Sequence, residues 1–123
     1  MPDAPARRPV VWVAQHDSRG VNLTGASRFG EIYVLFKDDV YPDTVDEAMP
    51  GVLRRATEEL RDFNPAQDFL CLSGAPLHLA MCATVLGRLF PEDGVNVLRW
   101  DRVEGAYYPI RLMPAIEETI DAE

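Results

Sequence analysis

Positive charge is scarce in this chain. Of its 123 residues, 12 are Lys or Arg against 20 Asp and Glu, the formal net charge is −8, and Lys37 is the only lysine. No stretch strings basic residues together, so nothing here neutralises a row of phosphates, and extended DNA or RNA is excluded as the expected partner. Long apolar runs are missing too: none approaches the length that spans a membrane. The Pro- and Ala-rich start, Met1 to Pro9 with Arg7 and Arg8, lacks the apolar core of a signal peptide. A cytoplasmic location is therefore expected, with no membrane partner. Cysteines number two, Cys71 and Cys82, both in apolar stretches, which reads as packed thiols in a reducing compartment. The two histidines, His16 and His78, belong to no HxxxH, HxH or CxxC spacing, so no metal centre is expected, and no motif implies a cofactor.

What is present is a 47% hydrophobic chain, enough to bury roughly two thirds of its unfolded surface as one domain. We expect a flexible segment over 1–9, a single domain over 10–113 and an acidic tail over 114–123 that forms a short helix at most. Val10 to Ala14 is an unbroken apolar run, the pattern of a central strand covered on both faces. A polar stretch from Ser18 to Gly30 follows, in which Asn22 or Thr24 suits the cap of a short helical turn through Phe29. Glu31 to Phe36 is a second β-branched and aromatic strand. Thr44 with Glu47 has the form of a capping box, and from Val45 to Phe63 apolar residues recur at helical spacing, with a kink or restart expected at Pro50-Gly51.

Asn64-Pro65 ends that helix. Asp68 to Leu72 supplies a third strand, Ser73-Gly74 closes it, and Pro76 suits the first turn of a helix running to Phe90. That helix looks apolar nearly all round, which predicts burial on more than one side and a subunit interface involving Leu79, Cys82 and Leu86. After a turn at Glu92-Asp93-Gly94, Val95 to Trp100 and Tyr107 to Leu112 form the last two strands as a hairpin, with Pro109 placing the final strand at a sheet edge. The order β, β, α, β, α, β, β predicts an α/β fold: a mixed, mainly parallel sheet of about five strands with two main helices, a Rossmann-like sandwich in the loose sense, plus a C-terminal hairpin.

In open α/β sheets ligands settle beyond the carboxyl ends of parallel strands. Three strand ends here are polar: Gln15-His16-Asp17-Ser18, Ser73 with Gly74, and Asp101 with Arg102. If the strands are parallel these groups share one edge, where free N–H groups opening the second helix suit an anion such as a nucleotide. Ser73-Gly74-Ala75-Pro76 lacks the spaced glycines and the Lys of a phosphate loop, and a strand-to-helix turn with a permissive Gly reads as well. Leu70-Cys71-Leu72 ahead of Ser73 lacks the Gly of a nucleophile elbow, so a serine hydrolase is set aside and no catalytic residue is assigned. Asp38, Asp39, Asp43, Asp46 and Glu47 read as a solvated loop and helix start rather than a calcium loop. Trp100, Asp101 and Arg102 with Tyr107 and Tyr108 form an aromatic and charged cluster suited either to stacking a base or to anchoring a protein interface.

Taken together, Ala14-Gln15-His16, Phe29-Gly30-Glu31, Asp68 to Gly74, and Val97 to Arg102 followed by Tyr108 resemble an uncharacterised group of small bacterial and phage-borne α/β proteins. The resemblance implies the fold and a mobile-element setting, and it supplies no activity. Three functions stay open. The leading one is a non-enzymatic homo-oligomer, most simply a dimer, that binds a small anionic ligand. The second is a protein-interaction module, such as a phage or mobile-element inhibitor of a host defence protein. The third is an enzyme acting through His16 and Asp17.

Overall fold

The computed structural model describes residues 7–15, 23–36 and 45–113. Along the chain they form β1 (Val10–Gln15), a 3₁₀ segment (Leu23–Phe29), β2 (Glu31–Phe36), α1 (Val45–Leu60), β3 (Phe69–Cys71), α2 (Pro76–Leu89), β4 (Val95–Asp101) and β5 (Ala106–Leu112). The five strands make one sheet in the order β2-β1-β3-β4-β5. The first four are mutually parallel, and β5 runs antiparallel to β4. The chain is thus a mixed α/β domain, with β1 well inside the sheet and Pro109 on the edge strand, where a missing donor is harmless.

Alternation along the strands divides the core in two. Trp12, Ala14, Leu35, Leu70 and Val97 pack against Ala56, Leu60, Met81, Cys82, Val85 and Leu86, from α1 and α2. Val11, Val13, Cys71 and Leu98 face the other way, against Ala26 of the 3₁₀ segment and Tyr107. The split follows from the two-residue period of a strand and from parallel crossovers: β1 to β2 and β2 to β3 advance in opposite directions, so their connections lie on opposite faces. The 3₁₀ segment Leu23–Phe29 therefore covers the face of the sheet opposite α1 and α2. α1 runs unbroken through Pro50, so of the kink or restart expected there the restart does not occur; the proline falls in the second turn and removes a single bond. Thr44 of the expected capping box lies outside the described residues.

α2 also departs from expectation. Met81, Cys82, Val85 and Leu86 are buried within the chain itself, and Leu79 packs partly against the same core. Its outward residues are Pro76, Leu77, Ala80, Ala83, Thr84, Gly87 and Arg88. The helix reads as apolar all round because Leu77, Ala80 and Ala83 interrupt the polar residues of its outer face, and isolated apolar residues at a surface are ordinary. Cys82 and Leu86 are consequently not available to a second subunit, and the expected interface through them is not supported.

At the amino ends of the strands Asp68 has no exposed surface. Its carboxylate accepts from Arg7, Val10 N, Trp12 Nε1 and Asn64 N, tying the chain start, β1 and the end of α1 to β3. Burial pushes this carboxyl up, but hydrogen bonds from Arg7, Asn64, Trp12 and Val10 outweigh it and hold the group below the ordinary carboxylate range.

Candidate site at the carboxyl edge

The strand order reverses between β1 and β3, and the carboxyl ends of both strands meet α2 there. β3 stops where the Ser73 N–H turns back onto Cys71 O at 2.9 Å. Gly74 follows with φ +111°, and a Cβ on it would sit 2.7 Å from Gln15 O and 2.9 Å from Gln15 Cβ. This glycine is required by the close approach of two backbones, at a φ that L side chains rarely adopt. Gln15, at the end of β1, accepts from Ala75 N through Oε1 at 2.9 Å. α2 then opens with Ala75 as its cap and Pro76 in its first turn, and no side chain caps it. The N–H groups of Leu77 and His78 have no intrahelical acceptor, as at any helix start.

Two polar side chains at this turn are buried with nothing to bond among the described residues. Ser73 is 5% exposed and His78 1%, and neither Ser73 Oγ nor either imidazole nitrogen of His78 has a hydrogen-bond partner. The His78 ring lies 5.6 Å from that of Phe36, the last residue of β2, and Phe36 is in register with Gln15. The ends of β1, β2 and β3 and the start of α2 therefore converge. Each buried donor or acceptor left unsatisfied costs about 1–3 kcal/mol, so such groups ask for a reason.

Beyond β3 the same edge opens into a cleft of about 650 Å³, lined by Leu72, Arg99, Trp100, Asp101, Arg102, Val103 and Tyr108. The Asp101 carboxylate accepts from Val103 N and Glu104 N and so shapes the β4–β5 turn. Trp100 meets Tyr107 edge to face at 5.0 Å. Tyr107, 1% exposed, belongs to the core, and burial pushes its hydroxyl well above the usual tyrosine range. It is neither a stacking platform nor an interface anchor, and the exposed aromatic of the hairpin is Tyr108.

Of the residues singled out in the sequence, Ser73, Gly74, Asp101 and Arg102 thus lie along one edge, while His16 and Asp17 lie outside the described residues. Gln15, read as part of a polar strand end, also lies on that edge. Sequence reasoning passed over His78 as a buried group, Arg99 and Leu72 as a lining residue. The face each of these residues takes was invisible until the strand register was known. No helix among the described residues is long and apolar enough to cross a membrane.

No curated protein and no solved structure matches the chain. Residues 9–114, which hold every strand and both long helices, match the family described as Phage Pam3 gp32-like protein, and the chain belongs to that family.

Proposed function

We propose that this chain is a Rossmann-like, non-enzymatic receptor for a small anionic molecule of nucleotide type, held where β1, β3 and α2 meet. The observation that carries this reading is the pair of buried, unpartnered polar side chains, Ser73 and His78, at that turn. A ligand oxygen accepts from the Ser73 hydroxyl, from an imidazole N–H and from the free N–H groups of Leu77 and His78, while the positive end of α2 favours its negative charge. The reversal of strand order between β1 and β3 is the position at which open α/β sheets offer a crevice. The family is phage-associated and lends no activity to this reading.

Native mass spectrometry of the purified chain, followed by calorimetry with ATP, AMP, GTP and inorganic phosphate, tests it. A retained or titratable anion is expected, bound at least about tenfold more weakly by Ser73→Ala. Gly74 variants are unsuitable for this purpose, since any side chain there strikes Gln15 whether or not a ligand exists. If the wild-type chain retains nothing and binds none of the panel, the reading fails.

A further inference from the structure

α1 and α2 leave part of the sheet uncovered. Leu72, Arg99 and Tyr108 occupy neighbouring positions on the helix-bearing face beyond the reach of α2: Leu72 N bonds to Leu98 O, and Arg99 is in direct register with Tyr108. Leu72 is 40% exposed, Tyr108 36% and Val103, at the hairpin tip, 91%. Arg99 and Arg102 are exposed and have no hydrogen bond or ion pair among the described residues. Two unpaired guanidiniums thus border an apolar floor in a cleft of about 650 Å³, on a chain whose net charge is −8.

We infer that this cleft docks an acidic segment of a partner protein, a short stretch in which carboxylates flank a bulky apolar side chain. The apolar side chain covers Leu72, Tyr108 and Val103, and the carboxylates take the fork of donors that each guanidinium presents. Charge complementarity is local: two guanidiniums stand against the single Asp101 carboxylate in the lining, which favours a partner with a few carboxylates in one place. A nucleic acid fits less well. Two arginines, with the Asp101 carboxylate beside them, grip too few phosphates to offset the repulsion of the whole chain. This docking site is separate from the Ser73 and His78 turn.

The test pans a library of random short peptides against the full chain. Enriched peptides are expected to combine Asp or Glu with Trp, Phe or Leu. The best of them, synthesised with a fluorescent label, should lose about tenfold in affinity with Arg102→Glu and again with Arg99→Glu. It should lose affinity at high salt as well. Arg54→Glu, on the exposed side of α1, and Ser73→Ala should leave peptide binding unchanged, which separates this site from the anion site. Thermal denaturation confirms that each variant folds. Enrichment without acidic residues, or indifference to both arginine reversals, overturns the inference. So does displacement of the peptide by oligothymidine, or self-association of the chain that Arg102→Glu abolishes.

Discussion

Arg7 holds Asp68 with both terminal nitrogens, Nη1 to Oδ1 at 2.9 Å and Nη2 to Oδ2 at 2.6 Å. The arginine is 41% exposed at its side chain and the aspartate fully buried, so the two partners are not equivalent. Removing Arg7 leaves the carboxylate with three donors. Removing Asp68 strands the N–H groups of Val10, Trp12 and Asn64. Asp68→Ala is therefore expected to lose about 3–5 kcal/mol of stability and Arg7→Ala about 1–2 kcal/mol, read from urea unfolding curves. Equal losses would refute this account.

The same carboxylate sets an acid limit. Its pKa in the folded chain lies below the ordinary value, so its contribution is complete above the unfolded pKa of about 4 and disappears as pH falls through the folded pKa. Stability should accordingly decline below about pH 4, and Asp68→Asn should flatten that part of the profile. An unchanged acid profile in the variant would assign the decline to other carboxylates.

Two glycines bracket the requirement at the strand-to-helix turn. Gly74→Ala forces a Cβ to within 2.7 Å of Gln15 O at a positive φ and should cost about 1–3 kcal/mol. Gly87 lies inside α2 with nothing within 4 Å of an added Cβ. Gly87→Ala should stabilise the chain by about 0.5–1 kcal/mol. Thermal unfolding of the two variants should move in opposite directions, and movement in the same direction would contradict the geometry.

His78 offers a trade between stability and recognition. Because neither ring nitrogen has a partner among the described residues, His78→Leu should stabilise the ligand-free chain by about 1–3 kcal/mol while weakening anion binding. Loss of both would mean that the imidazole has a structural partner after all.

Both thiols are sheltered. Burial raises Cys71 to about 11 and Cys82 to about 12, so at pH 8 neither offers a useful fraction of thiolate. Ellman's reagent should modify both only as the chain unfolds, and rapid labelling of the native chain would show that this core opens.

The strands and helices were legible because their chemistry repeats: the apolar run from Val10, the helical spacing after Val45 and the proline at the start of α2 each mark an element without help from distant residues. The site was legible only in part. Ser73 and Gly74 were singled out because a small residue and a glycine close a strand. Arg99 was missed because its neighbours Leu72 and Tyr108 are distant along the chain and meet it only through the register of β3, β4 and β5. Cys82 and Leu86 were assigned outward because composition does not say which side of an alanine-rich helix faces the sheet. Asp68 was read only as the first residue of a strand, because its partners Arg7, Val10, Trp12 and Asn64 meet it only once the chain is folded.

The Asp68 network lies at the opposite end of the strands from the turn at Ser73 and the cleft at Arg102. The anchor and the candidate sites thus occupy opposite ends of one sheet, and β1 reaches both, with Val10 and Trp12 bonded to Asp68 and Gln15 bonded to the start of α2. Substitutions at the carboxyl edge are therefore expected to leave the Asp68 anchor intact, because the length of the strands lies between them.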